Sequence, residues 1–491
     1  MKRNLAYLLL ISMLASLTAC GGEAASDDTT APGAADTTAP VTEAETDRSE
    51  ITDDLPATDL GGYKFRIIGR NDNFVYEYEL GADAENGDVV NDAAFKRNQA
   101  VAERLNIEFE RTLKKNGEIT SLVRQTVLAG EDAYDLVINA SYAVPTLATE
   151  NLLLDWYNLE YVDFSKPWWS TDAMAELSVA NHSYFAVGDA TMSNIGIAMC
   201  IFYNKSLGEE YKLDNVYEVI NSGKWTYDYF SGIVKDIHRD VNGDSVMDSK
   251  DLYGFGNNIG STLQPFVFSL GGRFTAKGSD DLPKLSMNNE NFVNIFERIY
   301  ALHMENEGVY ADVDWQMPRT MFANSQIVFN TGAVYHAATI YREMEDDFGI
   351  LPFPKADEKM EKYYTCHDPN VSLLAIPVTA PDPDRTGLVI EAMAIESYKT
   401  LTPAFFETAL QVKYSRDDET VQTLELIKDG TTFDFAILYG GTAAEGTDKL
   451  SQCMRELLKE GSKDFASFYA ANAPAGEQYY GGIVKAYQAL K

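Results

Sequence analysis

From residue 63 to residue 140 the hydrophobic pattern switches back and forth between the period of a strand and the period of a helix. Tyr63-Lys64-Phe65-Arg66-Ile67-Ile68 alternates with period two and stops at Gly69-Arg70-Asn71-Asp72, which predicts a strand ending in a loop. Asp92 to Leu105 places Phe95, Ala102 and Leu105 near one helical face, and Ile107-Glu108-Phe109-Glu110 then alternates as a second strand. A helix over about 119–129 stops at Gly130, and Tyr134-Asp135-Leu136-Val137-Ile138 reads as a third strand. Strands separated by helices pair in parallel, so the segment predicts a parallel sheet covered on both faces. Ligands of such sheets bind beyond the carboxyl ends of the strands. Asn71 and Asp72 after the first strand, with Ser141 and Tyr142 after the third, therefore mark the edge of a crevice.

The pattern starts a second time. Asn291 to His303 carries Phe292, Ile295, Phe296, Ile299 and Leu302 at helical spacing, with His303 at the helix end. Ile327-Val328-Phe329-Asn330 and Ser372-Leu373-Leu374-Ala375-Ile376 read as buried strands, the latter closed by Pro377 and the loop Pro381-Asp382-Pro383-Asp384. At about 150 residues per domain, a chain of 491 residues has room for two such α/β lobes and more.

Lys2 and Arg3, an apolar stretch from Leu5 to Leu17, and the ending Leu17-Thr18-Ala19-Cys20-Gly21 form a secretory signal with a bacterial lipobox, in which Cys20 becomes the lipid-bearing N-terminus. The apolar stretch is too short to span a bilayer, so lipid is the expected anchor. Residues 21–50 hold no aromatic residue and repeat Asp-Thr-Thr-Ala-Pro at 28–32 and 36–40, which predicts an extended tether. The formal charge is −35, and loss of Lys2 and Arg3 with the signal makes it −37. A surface this acidic excludes nucleic acid and anionic lipid as partners, since both need a basic face. Beyond Cys20, the cysteines Cys200, Cys366 and Cys453 are too far apart for a zinc knuckle, allow one disulfide at most, and read as core residues.

Asp240, Asn242, Asp244, Asp248 and Asp251 occupy positions 1, 3, 5, 9 and 12 of a twelve-residue loop, with the Val246 carbonyl at position 7. Alternate oxygen ligands at that spacing predict a structural Ca2+ site. Ser245 stands where an EF-hand has glycine, and Asp251 is a shorter closing arm than glutamate. No catalytic cofactor is expected. There is no His-Glu-x-x-His pair, no Gly-x-Ser-x-Gly elbow and no phosphate-binding Gly-rich loop, and Gly254-Phe255-Gly256 lacks the third glycine of a dinucleotide fingerprint. A glycosidase needs only two carboxylates, which no spacing excludes among 75 acidic residues.

The order of several segments resembles the extracellular solute-binding lipoproteins that deliver sugars to ABC importers in Gram-positive bacteria. These are Tyr134 to Ile138 with Leu153-Leu154-Asp155; Tyr184 to Asp189; Ile201-Phe202-Tyr203-Asn204-Lys205-Ser206-Leu207; Gly223-Lys224-Trp225-Thr226; the acidic loop running into Leu252-Tyr253-Gly254-Phe255; and Phe348 to Pro354. The resemblance spans most of residues 60–400. It implies an α/β fold of the two-lobed periplasmic-binding-protein type II class, with a hinge and an interlobe cleft. The implied organisation is a signal (1–19), a tether (20–56), a first lobe (57–190 with about 375–405), a second lobe (191–374) and a C-terminal helical segment packing on the lobes (406–491). The chain is implied to cross between lobes near Val187 to Phe202 and to return near Leu373 to Ile376. The implied function is capture of a carbohydrate, an oligosaccharide, by a lipid-anchored monomer on the outer face of the cell membrane, for transfer to an ABC permease. No enzymatic activity is implied.

In that arrangement the cleft receives Asn71, Asp72, Ser141, Tyr142, Asp189, Tyr335 and His336, while Trp315 and Arg273 are further candidates by residue type. Tyr335-His336 stands where the family often has tryptophan. Trp168-Trp169 after Pro167 reads as an anchored corner, and Trp225 before the N-cap Thr226 as core. Two other readings remain open from the residues: a surface glycosidase, and a binding protein for peptides or other polar solutes.

Overall fold

The computed structural model describes residues 48–72, 74–406, 419–440 and 448–490. Cys20, the signal segment and the tether up to residue 47 lie outside the described residues.

Strands β1 (Tyr63–Arg70), β2 (Ile107–Lys114) and β3 (Leu136–Ala140) pair in parallel, with Tyr63 opposite Ile107 and Ile67 opposite Leu136. Phe65, Ile67 and Ile68 are fully buried, because helices α1 (Phe74–Glu79), α2 (Val89–Leu105) and α3 (Asn116–Leu128) follow the strands and cover the sheet. Helix α2 starts ahead of its periodic residues because the Asp88 carboxylate accepts the backbone N–H groups of Val90 and Asn91. It ends where Asn106 turns left-handed at φ 51°. Strand β3 begins later than the apolar pattern suggests. Asp135, just before it, is buried and accepts from Arg66 N–H, Arg66 Nε and the Tyr63 hydroxyl at 2.8, 3.0 and 2.7 Å.

The chain leaves this sheet through α4 (Ser193–Gly196) and enters a second one. Strands β4 (Met199–Asn204), β5 (Leu252–Asn258), β6 (Val309–Asp312), β7 (Ile327–Ala333) and β8 (Phe348–Leu351) order as β8-β4-β7-β5, with β6 and the two-residue strand His238–Arg239 both paired to β5. Strand β7 is antiparallel to β4 and parallel to β5. The return strand β9 (Ser372–Ala375) joins the first sheet beside β3, with Ser372 opposite Ala140. It runs antiparallel, a direction the sequence left open, while the parallel pairing expected of β1, β2 and β3 stands.

The second sheet is packed by aromatic rings. Trp225 is buried and donates its indole N–H to Pro352 O at 2.9 Å, while Thr226 Oγ1 accepts from Tyr229 N–H and caps α5 (Tyr227–Lys235). Helix α6 (Glu290–Tyr300) buries Phe292, Ile295, Phe296 and Ile299 and continues as a π-turn over Ala301–Glu305. That wider turn carries the helix-end His303 inward, where it is buried, with Nε2 2.7 Å from Asn257 Nδ2 and Nδ1 2.8 Å from Ile299 O. Helix α7 (Met317–Ala323) precedes β7. In the C-terminal part, α8 (Pro383–Glu396) packs on α2, α9 (Glu419–Gly430) packs on β8, and α10 (Phe465–Ala489) sets Phe465 against Phe292 and Phe296. Trp168 and Trp169 are buried and donate their indole N–H groups to the Glu391 carboxylate of α8 at 2.7 and 2.8 Å. Cys200, Cys366 and Cys453 are buried free thiols. Among the described residues no helix is long and apolar enough to cross a membrane.

Candidate functional site

A cavity of about 250 Å³ opens where the first sheet's elements face the second's. On one side stand Tyr76 of α1 and the turn Asp368 to Asn370 that leads into β9; on the other stand Ser261, Trp315, Arg319, Tyr335 and His336. Ile197, Met199 and Ala333 line the rest.

Each wall residue is placed by its local fold. Strand β7 ends at Ala333 and passes into a 3-10 turn, Val334–Ala337, that presents Tyr335 and His336. The two rings lie 4.6 Å apart. His336 Nδ1 accepts the Ala333 N–H at 3.2 Å, so the neutral ring carries its proton on Nε2. Burial, helped by the positive charge of Arg319, holds this histidine well below its ordinary pKa and keeps it neutral. Trp315, 52% exposed, sits four residues before Arg319, whose guanidinium carbon lies 4.9 Å from the indole centroid. Arg319 makes no hydrogen bond or ion pair among the described residues. Across the cavity, Asp368 Oδ1 accepts both the Asn370 N–H at 2.9 Å and Asn370 Nδ2 at 2.7 Å, an Asx turn that leaves Oδ2 available. Behind this wall the Arg70 guanidinium stacks 3.6 Å from the Tyr76 ring centroid. The cavity thus offers aromatic faces, a donor-only cation, a carboxylate oxygen and amide and hydroxyl groups within one small volume. These are the groups that hold a ring with an apolar C–H face and a polar rim.

Of the residues singled out in the sequence, Trp315, Tyr335 and His336 line this cavity. Asn71 and Asp72 are exposed at the end of β1, where the Asp72 carboxylate accepts the Asn116 N–H at 3.3 Å. The Tyr142 hydroxyl accepts from Asn116 Nδ2 and does not line the cavity. Ser141 is buried and donates to Pro369 O at 2.9 Å, so it supports the Asp368 turn from behind. Asp189 is spent elsewhere: it lines a separate cavity of about 370 Å³ beside Trp169, Tyr398 and α9, and its Oδ2 accepts from Lys428 Nζ at 3.3 Å and from Thr402 Oγ1 at 3.2 Å. Arg273 also stands apart, with its guanidinium over the Phe268 and Tyr364 rings and one N–H on Gly272 O. Tyr76, Ser261, Arg319, Asp368 and Asn370 were not singled out. Three of them carried a signal: Asp368 and Asn370 flank Pro369 in a turn directly before a strand, and Arg319 falls four residues after Trp315.

In the loop from Asp240 to Asp251 the carboxylates turn toward the loop's own backbone. Asp240 accepts from Gly243 and Ser245, Asn242 from Asp244, Asp244 from Val246, Asp248 from Lys250, and Asp251 from Val241 and Asp248. Ser245 adopts the left-handed conformation at φ 66° that an EF-hand assigns to glycine at this position. Among the described residues no three His, Cys, Asp or Glu side chains are arranged to hold a metal ion.

No protein-family model matches the chain, and no curated protein matches it. Solved structures do. The UspC protein of M. tuberculosis aligns at a TM-score of 0.56 and 14% identity, over 84% of this chain and 99% of that one. The galacto-N-biose-/lacto-N-biose I-binding protein of an ABC transporter from Bifidobacterium longum, solved with lacto-N-biose, aligns at 0.54 and 14%, over 86% and 99%. The maltose/maltodextrin-binding domain MalE from Bdellovibrio bacteriovorus, bound to maltotriose, aligns at 0.51 and 15%, over 85% and 99%. With the antiparallel return strand and the two sheets, these likenesses define the fold: it is the two-lobed α/β fold of the periplasmic binding proteins.

Proposed function

We propose that the protein is an extracytoplasmic receptor that captures a carbohydrate between its two lobes and presents it to an ABC importer in the membrane. The observation that carries this reading is the cavity wall itself, where the Arg319 guanidinium, without an ion pair among the described residues, rests on exposed Trp315 opposite the Asp368 carboxylate. Solved proteins of the same fold, crystallised with maltotriose and lacto-N-biose, support a saccharide as the ligand class. Cys20 is the proposed lipid attachment point, and the acidic body a monomer held at the outer face of the membrane. The lobes are proposed to span 57–190 with about 375–405, and 191–374. Among the described residues Asp368 is the only carboxylate in the cavity wall, whereas hydrolysis by a carboxylate pair needs two. Binding without turnover is therefore the better reading.

The test is a thermal-shift and calorimetry screen of mono- and oligosaccharides, amino acids and peptides. Saturable stabilisation by one saccharide class, with no release of reducing ends, is the expected result; at a hundredfold excess over Kd it amounts to about 2.7 kcal/mol. A response to peptides alone overturns the carbohydrate reading. The loop from Asp240 to Asp251 is proposed as a structural calcium site, supported by its ligand spacing and by the left-handed Ser245. Binding requires Asp248 to release Lys250, whose Nζ lies 2.9 Å from it. Calcium added after chelation is expected to raise the melting temperature, and Asp240→Ala to abolish the rise.

A further inference from the structure

The two segments that join the sheets run side by side. Ala186 bridges Leu374 and Ala198 bridges His367, both antiparallel, and the Ser372 N–H donates to Ser193 Oγ at 2.9 Å. Glu79, the last residue of α1, is fully buried against this pair and places one carboxylate oxygen on each member. Oε1 accepts the Ser193 N–H at 2.9 Å, and Oε2 accepts the Ser372 hydroxyl at 2.6 Å. Two buried guanidiniums complete the cluster. Arg97 of α2 donates to the Glu79 carbonyl at 2.8 Å, and Arg70 at the end of β1 donates from one nitrogen to Ser372 Oγ at 2.5 Å and to Asn370 O at 2.8 Å. Asn370 and Tyr76, the ring on which Arg70 stacks, are both walls of the cavity.

A buried carboxylate is costly unless its oxygens are bonded and its charge is matched, so such a group specifies one arrangement of whatever it holds. Here it holds two backbone segments that bridge each other antiparallel at Ala186–Leu374 and Ala198–His367. We infer that Glu79 is the pin of the interlobe hinge, fixing both crossing segments to the first lobe, and that Arg70 passes their angle to the cavity wall through Asn370. Glu79 and Arg70 are positioning residues. Neither lines the cavity, and both act through Ser193, Ser372 and Asn370. Two Arg70 nitrogens, Nε and Nη1, are buried without a partner, which leaves the cluster donors to spend when the crossing segments shift.

The inference rests on the two-lobed receptor reading, and its test needs no saccharide. Spin labels are placed at exposed Glu108 of β2 and exposed His238 beside β5 in the full chain carrying Cys20→Ser; the three other cysteines are buried. Pulsed electron paramagnetic resonance then reads the interlobe distance in the absence of ligand. One narrow distribution is expected for the parent chain. Glu79→Gln and Ser372→Ala are expected to broaden it or displace it by about 3 Å while unfolding stays cooperative, and Ser372→Thr, which keeps the hydroxyl, to restore it. Native distributions in both folded variants overturn the inference. If Glu79→Gln does not fold, Ser372→Ala with its Thr partner decides. A broadened distribution in a protein that binds no saccharide leaves the pin standing and removes the carbohydrate reading, so the two fail separately.

Discussion

Among the described residues Arg319 has no carboxylate partner, in a chain with 75 acidic residues. It is held instead on Trp315, which fixes the guanidinium plane but leaves its N–H donors free for a bound molecule. Hydrogen bonds to a charged group contribute about 1.5–3 kcal/mol, so Arg319→Ala is expected to weaken saccharide binding by roughly tenfold to a hundredfold in calorimetry. Its melting temperature should stay near that of the parent. Glu391 is a residue of the opposite kind, with its charge given entirely to structure. Burial raises its carboxyl from the usual 4.5 to about 7, although both indole N–H bonds favour the ionised form. Its folded pKa lies above its unfolded one, so the stability it contributes is complete below about 4.5 and is lost as pH rises through about 7. Glu391→Gln has no proton to lose but turns an amide N–H toward one indole. In urea unfolding it is expected to be less stable than the parent at pH 5, with the difference moving in its favour by on the order of 2 kcal/mol by pH 8.

At the scale of elements, local chemistry sets where the helices of the first lobe begin. Asp88 bonds two of the free N–H groups of α2, and Asp88→Ala is expected to cost about 1 kcal/mol in chemical denaturation without altering the cavity. The alternation of Phe65 and Ile67 and the spacing of Phe292, Ile295 and Ile299 made β1 and α6 legible, because burial on one face imposes the period. The direction of β9 was not legible, since a buried run such as Ser372 to Ala375 reads the same in either sense. The site divided in the same way. Trp315, Tyr335 and His336 could be marked by residue type and loop position. Asp368 could not be told from Asp189 in the sequence: both follow strand-like segments, and only the fold sets Lys428 and Thr402 against Asp189 while leaving one oxygen of Asp368 open. The Glu79 cluster joins residues nearly three hundred positions apart, beyond the reach of any local pattern.

For the molecule as a whole, the C-terminal helices belong to both halves. Helix α8 packs on α2 of the first lobe, whereas α9 packs on β8 of the second, with the Thr423 hydroxyl donating to Ile350 O at 2.6 Å. Lys428 of α9 reaches Asp189 at the start of the crossing, so one ion pair ties the tail to the hinge. Lys428→Met leaves that buried carboxylate without its cation and is expected to lower unfolding stability by about 3 kcal/mol in urea denaturation.

The three buried thiols have a consequence for where such a body can be made. Burial lifts Cys200, Cys366 and Cys453 above their ordinary pKa, and a thiol kept protonated neither attacks nor exchanges. Nothing in the described body therefore waits on an electron acceptor. Its melting temperature is expected to be the same with and without a thiol reductant.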